Sequence, residues 1–98
     1  MIVVIGSFIA KEGQRDTALA LGLAHVERSR TEVGCLMFSI HIDAENPNRL
    51  VFVEEWRDMA ALKTHFKVPE CMEFADRLNE LAQSVAPLNI YEATLLSG

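Results

Sequence analysis

The chain is poor in the residues that mark several protein classes. It has two cysteines and three prolines among 98 residues, and no stretch is rich in glycine or proline. Cys35 and Cys71 lie far apart and outside any metal-ligand spacing, so neither a disulfide scaffold nor a zinc site is predicted, and a reducing cytoplasm is the expected compartment. Because no long polar or low-complexity segment interrupts the chain, residues 1–98 are expected to form one domain.

The chain also lacks a surplus of positive charge. Nine lysines and arginines are outnumbered by 14 aspartates and glutamates, which gives a net charge of -5. A nucleic-acid partner would need a Lys/Arg-rich face to replace the counterions of the phosphates, so no such partner is expected. The apolar residues 1–10 have no basic n-region, are too few to cross a bilayer and meet Lys11-Glu12-Gly13 rather than a cleavage site, so they predict a strand rather than a signal or a membrane segment.

Strand and helix patterns alternate along the chain. Runs rich in β-branched residues predict strands, and apolar residues three or four positions apart, such as Leu19, Leu23 and Val26, predict helices. The predicted strands are residues 2–10, 35–43, 49–57 and 88–96, and the predicted helices are residues 15–31, 59–66 and 69–85. This β-α-β-β-α-β order predicts an α+β, ferredoxin-like split βαβ fold with a four-stranded antiparallel sheet.

The predicted sheet has apolar residues on both faces. In the third strand Val51 and Val53 alternate with Leu50 and Phe52, and half of all residues are hydrophobic. Helices cover one face in this fold, so a second copy of the chain is expected to cover the other, as in an isologous homodimer.

Glu54 interrupts an apolar row, because alternation places it on one strand face with Phe52 and Trp56. Burial would raise the pKa of its carboxyl group unless a partner compensates. One interpretation is structural, with Glu54 paired to an arginine or a backbone N–H and Trp56 in the core. The other is functional, with Glu54 as an orienting acceptor and Trp56 as a pocket wall.

His65 can move a proton near neutral pH, and the predicted short helix places it beside the apolar stripe of Met59, Leu62 and Phe66. His25 is a second candidate, because it lies in a helical row of small residues that leave space around it. His41 alternates with Ser39 on a strand and is a weaker candidate. No pair of histidines has the spacing of a metal ligand set, so no metal is predicted, and no pattern indicates a covalent nucleophile.

Three runs and a proline, in order and spacing, resemble the antibiotic biosynthesis monooxygenase (ABM) family. The runs are EVGCLMF at 32–38, EEWRD at 54–58 and ALKTHF at 61–66, and Pro69 follows them. The resemblance implies a dimeric α+β barrel with one pocket per protomer between sheet and helices. The recurrent helix histidine of the family corresponds to His65 and its strand carboxylate to Glu54.

The resemblance implies several activities, because members include cofactor-independent monooxygenases, haem-degrading enzymes and an enzyme that processes a phosphorylated quorum-sensing signal. The signal-processing branch has a histidine that corresponds to His25, but also one where this chain has Glu70. The haem-degrading branch relies on an asparagine on the first strand, where Ser7 is the nearest polar residue here. Haem is therefore disfavoured, and no cofactor is expected.

The leading hypothesis is a cofactor-independent monooxygenase acting on a small aromatic, phenolic or quinol substrate. Once deprotonated, such a substrate can pass an electron to dioxygen itself, so a dry pocket, a base and orientation suffice. The expected catalytic residues are His65, Glu54 and His25, and the expected substrate-binding residues are Trp56, Phe52, Phe66 and Ser7. The alternatives are an isomerase-type enzyme for a phosphorylated signal, with Lys63 and Arg77 as cations, and a non-catalytic binder of a small hydrophobic ligand.

Overall fold

The computed structural model describes residues 1–98 and has the predicted α+β architecture. The elements, in chain order, are β1 (Ile2–Ala10), α1 (Arg15–Ser29), β2 (Cys35–Asp43), β3 (Asn46–Trp56), α2 (Met59–Lys67), α3 (Pro69–Leu81), β4 (Ala82–Val85) and β5 (Asn89–Glu92). The sheet order is β2-β3-β1, and both β4 and β5 pair with the free edge of β1, all antiparallel. This is the ferredoxin-like arrangement. No helix is long and apolar enough to cross a membrane.

The C-terminal part of the prediction is wrong in one respect. The last helix ends at Leu81 rather than near residue 85, and residues 82–85 form β4, with Phe8 opposite Val85. The predicted fourth strand at residues 88–96 is shorter, since β5 covers only Asn89–Glu92. Ala82 and Val85 have the spacing of a helical stripe, but pairing with β1 satisfies their backbone groups instead. The edge next to β1 is therefore occupied by two short strands.

The first helix is buried along its row of small residues, and of the apolar stripe that predicted it Val26 is buried and Leu19 packs on the core. Its buried residues are Ala18, Gly22, His25, Val26 and Ser29, whereas Leu23 is 47% exposed. A Cβ at Gly22 would collide with Ile40 and Phe52, so the absence of a side chain there lets α1 lie close to the sheet. Close approach brings the His25 ring against the sheet aromatics.

The second helix begins and ends near its predicted bounds, but its buried face differs. Asp58 caps it as predicted, because its carboxylate accepts a hydrogen bond of 2.9 Å from the Ala61 N–H. The buried residues are Ala61, Leu62 and His65, while Met59 and Phe66 are about one third exposed, at 37% and 36%. His65 therefore lies within the buried stripe and not beside it.

Candidate active site between the sheet and the helices

A cavity of about 290 Å³ lies between the helix-covered face of the sheet, α3 and the link from β4 to β5. Most of its lining is apolar and much of it is aromatic. Polar atoms come from a small group that includes His25, Glu54, His65 and Cys71. Among the lining residues are Gly6, Phe8, Phe38, Phe52, Phe74, Leu78, Val85 and Leu88. A small, mostly apolar ring compound matches such a cavity in size and character.

Most of the predicted site residues meet at this cavity. His65, Glu54, His25, Phe52 and Phe66 all line it. Ser7 lines it as well, at the edge formed by β1. Ser7 pairs with Val51, so strand alternation directs its side chain to the opposite sheet face and leaves its main chain at the cavity.

Trp56 is not part of the cavity lining. It is fully buried, and its indole Nε1–H donates a hydrogen bond of 2.9 Å to Oε1 of Glu54. The expected contact between Trp56 and a substrate is therefore not present in this geometry. The indole supports the carboxyl group that lines the cavity.

Glu54 is a buried carboxyl group without a cationic partner. It is 5% exposed and takes part in none of the ion pairs, which are formed by other residues. The interpretation that paired Glu54 with an arginine is therefore wrong. Burial raises its pKa to about 7, although the Trp56 hydrogen bond opposes this shift. A carboxyl group that titrates near neutrality beside a cavity is suited to hold or release a proton.

His65 is oriented by Glu32, not by Glu54. Its Nδ1 lies 3.0 and 3.1 Å from the two carboxylate oxygens of Glu32, and the ring is 2% exposed. Because a carboxylate only accepts hydrogen bonds, Nδ1 carries the proton and Nε2 keeps its lone pair. Burial lowers the pKa of His65, while the Glu32 charge opposes that shift, so the ring is neutral at neutral pH.

His25 has the opposite tautomer. Nη2 of Arg28 lies 3.1 Å from its Nδ1, and a guanidinium can only donate, so Nδ1 accepts and Nε2 carries the proton. Nε2 of His25 has no hydrogen-bond partner in the protein. Every buried side-chain nitrogen and oxygen has such a partner, so the Nε2–H is not buried and reaches accessible space. Burial, with His65 and Arg28 nearby, lowers the pKa of His25 to about 3. The ring stacks on Phe74 with centroids 3.8 Å apart.

One ion pair joins these two environments. Nη1 of Arg28 lies 2.8 Å from Oε2 of Glu32. The guanidinium that contacts His25 and the carboxylate that contacts His65 therefore also form a salt bridge with each other. Arg28 and Glu32 are the functional candidates that sequence reasoning missed. Their i,i+4 spacing was a usable signal, but Glu32 follows the helix in a turn and only folding brings it against α2.

A metal could be held at one place in this cavity. His25, His65 and Cys71 each offer one ligand atom, and these atoms lie within 4.8 Å of one another. Two imidazoles and a thiolate suit zinc or copper. The spacing along the chain did not predict this group because its members come from α1, α2 and α3. Binding through Nε2 of His25 would require its proton to move to Nδ1, against the Arg28 donor.

Comparison with solved structures supports the fold. A candidate antibiotic biosynthesis monooxygenase from Deinococcus radiodurans superposes with a TM-score of 0.93 at 23% identity, over 100% of this chain and 97% of that one. Another crystal structure, described as an antibiotic biosynthesis monooxygenase, has a TM-score of 0.88 at 28% identity, over 97% of this chain and 100% of that one.

Comparison of sequences gives the family. A Synechocystis protein of undescribed function is 35% identical over 91 residues, 93% of this chain and 62% of that protein, so the chain spans less than two thirds of this relative. YcnE of Bacillus subtilis, described as a candidate monooxygenase, is 28% identical over 97% of this chain and 98% of YcnE. Residues 1–77 match the family described as antibiotic biosynthesis monooxygenase, and the chain therefore belongs to that family.

Proposed function

We propose that the protein is a cofactor-independent monooxygenase that oxidises a small aromatic, phenolic or quinol substrate with dioxygen. The observation that carries this proposal is neutral His65 in the lining of an aromatic cavity: Glu32 holds its Nδ1–H, and the Cys71 thiol is the one protein group within hydrogen-bonding distance of its Nε2 lone pair. Family membership supports monooxygenase chemistry in general.

The first step is deprotonation of the substrate. The hydroxyl proton passes to Nε2 of His65, and the Glu32 carboxylate stabilises the imidazolium that forms. The resulting phenolate is electron-rich and passes one electron to dioxygen in the mostly apolar cavity. Recombination places one oxygen atom on the ring, and the other leaves as water, so a quinol plus dioxygen gives a hydroxyquinone plus water.

Two further groups match this sequence of steps. The Nε2–H of His25 can donate to the phenolate oxygen, because Arg28 keeps the other nitrogen as an acceptor. Glu54 has a pKa near 7, so it can supply the proton that the reduced oxygen needs and regain one from solvent. Base, donor and acid are thus three different residues on one cavity wall.

Oxygen uptake with a panel of quinols and phenols tests the proposal, with and without a metal chelator. We expect uptake that persists with the chelator, and incorporation of one ¹⁸O atom per product from ¹⁸O₂. The matched variant His65→Asn, which keeps a side-chain N–H for Glu32 but has no base, should lose this uptake. Tight ligand binding without oxygen uptake would favour the ligand-binding alternative.

The phosphorylated-signal alternative has less support from the cavity. It requires cations near the ligand, but neither Lys63 nor Arg77 lines the main cavity. Arg77 lines a shallower groove between α1 and α3. Arg28, a partly buried cation, is already engaged by Glu32 and His25.

The partner in this proposal is a second copy of the chain. The sheet face opposite the helices carries Val3, Ile5, Val51 and Val53, and Ile5 is 38% exposed. Burying such a face is favourable, and an isologous dimer does so with one patch. We expect light scattering to give a dimer at micromolar concentration and Ile5→Lys to dissociate it. A stable wild-type monomer would contradict the dimer.

A further inference from the structure

We propose that Cys71 is a nucleophile activated by His65, which adds covalently to the conjugated carbonyl system of a planar, neutral, quinone-like ligand in the cavity. The thiol lines the cavity, and its Sγ lies 3.6 Å from Nε2 of His65, within hydrogen-bonding distance for sulfur. The main chain of α3 fixes it there, because Pro69 begins the helix and the Cys71 N–H donates to the Val68 carbonyl.

Cys71, His65 and Glu32 form a thiol, imidazole and carboxylate in hydrogen-bond sequence. Glu32 holds Nδ1–H of His65 at 3.0 Å, so the lone pair of Nε2 faces the thiol as a base. This constellation is recognised by geometry and not by sequence order, and its members come from a turn and two helices. No spacing rule along the chain would have found it.

A second, independent observation points to a ligand with an acceptor oxygen. His25 is 7% exposed, and its Nε2–H has no partner in the protein. Its ring centroid lies 5.5 Å from that of His65, so donor and base are next to each other at one end of the cavity. A carbonyl oxygen that gains negative charge during thiol addition would accept this hydrogen bond.

The rest of the cavity restricts the ligand to a flat, neutral ring. Phe38, Phe52 and Phe74 pack around His25 in edge-on and stacked contacts, and Phe38 also contacts His65. No free cation lines the cavity, so a phosphate or carboxylate group would find no counter-charge. A quinone combines a flat ring, acceptor oxygens and electrophilic ring carbons.

The step conserves atoms and electrons without a further reagent. The thiol proton moves to Nε2 of His65 as the sulfur forms a bond to the ring carbon β to a carbonyl. The π pair of the carbon–carbon bond moves towards the carbonyl oxygen, which His25 stabilises. The His65 proton then returns to the adduct, which tautomerises to a thioether of the quinol, so the ring is reduced as the carbon–sulfur bond forms.

Burial raises the pKa of the Cys71 thiol and of the Cys35 thiol, so neither is a spontaneous thiolate at neutral pH. Both are free and partly buried. Cys35 has no hydrogen-bonded histidine and is therefore an internal control within the same chain. The addition needs no dioxygen, so it can fail or succeed independently of the proposed oxygenase activity.

The experiment is anaerobic labelling of the full chain with 1,4-benzoquinone at pH 7, followed by peptide mapping. We expect Cys71 to react at least tenfold faster than Cys35, Cys71→Ser to remove this fast phase, and His65→Asn and Glu32→Gln to slow it at least tenfold. Labelling of Cys35 in the same variants reports whether the fold persists. Equal labelling rates at the two cysteines, or a Cys71 labelling rate that is unchanged in His65→Asn, would overturn the proposal.

A second probe separates the donor from the base. Iodoacetamide alkylates a thiolate without charge developing on a carbonyl oxygen, whereas benzoquinone requires such charge. His25→Asn keeps an acceptor for Arg28 but loses the free N–H. We therefore expect it to slow benzoquinone addition at Cys71 at least fivefold and to leave iodoacetamide alkylation within twofold. Equal slowing of both reagents would contradict a role of His25 at the carbonyl.

Discussion

His25 and His65 are the same residue type in nearly the same place, yet their neighbours give them opposite properties. Both are buried, and their ring centroids lie 5.5 Å apart. Arg28 donates to Nδ1 of His25 and leaves its Nε2–H without a protein partner, whereas Glu32 accepts from Nδ1 of His65 and leaves its Nε2 lone pair as an acceptor for the Cys71 thiol or a ligand. The charge beside each ring, and not its burial, therefore decides which histidine is the donor and which is the base.

A single ion pair maintains the opposite tautomers of the two histidines. Arg28 and Glu32 are 2.8 Å apart, so each charge is neutralised while it fixes one imidazole. Exchanging either partner for a neutral residue should therefore change one histidine more than the other. Variants that replace one of these side chains at a time separate the two roles. Their activity is measured on the best substrate of the oxygen-uptake panel.

The largest effect is expected for His65→Asn. The asparagine amide can still donate to Glu32, but no base remains at the position of Nε2, so kcat should fall about a thousandfold, or about 4 kcal/mol in activation free energy. Steady-state oxygen uptake measures it. His65→Ala is a poorer test, because His65 packs on Trp56 and its truncation would also cost stability. Retention of full turnover would make His65 structural.

Glu54→Gln should remove a pH dependence of stability. The pKa of Glu54 rises from 4.5 in the unfolded chain to about 7 in the fold, so its contribution is fully present below pH 4.5 and is lost as the pH rises through 7. The loss is at most about 3 kcal/mol. Urea unfolding at pH 5 and pH 8 should therefore show that the free energy of unfolding of the variant, relative to the wild type, is higher at pH 8 than at pH 5. A constant difference between the two proteins would contradict a buried ionising Glu54.

Glu32→Gln should weaken the base without removing it. Loss of the carboxylate lowers the pKa of His65 further, so kcat should fall about thirtyfold, or about 2 kcal/mol, and its acid limb should move to lower pH. A pH–rate profile measures both. Glu27→Gln, which removes an exposed charge from α1, is the matched control and should change neither kcat nor its acid limb. An unchanged acid limb in Glu32→Gln would separate Glu32 from the reaction.

The smallest effect is expected for His25→Asn. The variant keeps an acceptor for Arg28 but loses the free Nε2–H together with the ring that stacks on Phe74, so kcat should fall about tenfold, or about 1.4 kcal/mol. His41 is exposed on β2 and lies outside the cavity, so the control variant His41→Asn should leave kcat unchanged. If His25→Asn reduced kcat as much as His65→Asn, the two histidines would share one role.

The sequence predicted the fold well where one pattern dominated. The bounds of β1 and β2 are confirmed because their β-branched and alternating residues have only one good packing. Residues 82–85 were assigned to a helix, since helical spacing does not report a strand that pairs with a distant edge. Leu23 was expected to be buried, but Gly22 allows a closer contact on the neighbouring stripe.

The sequence predicted which residue types form the candidate site, but not the hydrogen bonds that join His65 to distant residues. Glu54, His65 and His25 were identified because ionisable groups stood beside apolar residues. The partners of His65 were not identified, because Glu32 reaches it across 33 positions of the chain and Cys71 belongs to a third helix. The bonds of Glu54 to Trp56 and of His25 to Arg28 span two and three positions and were within reach of a local pattern. Which histidine is the base depends on these long-range contacts, and a local pattern carries no information about them.

The central claim is that the two histidines are opposite neutral tautomers, and ¹⁵N NMR of the imidazole nitrogens at pH 7 tests it most directly. We expect a protonated Nε2 and bare Nδ1 at His25, and a protonated Nδ1 and bare Nε2 at His65. His41→Asn simplifies the spectrum to these two rings. The same tautomer at both positions, or an imidazolium at either, would contradict the account.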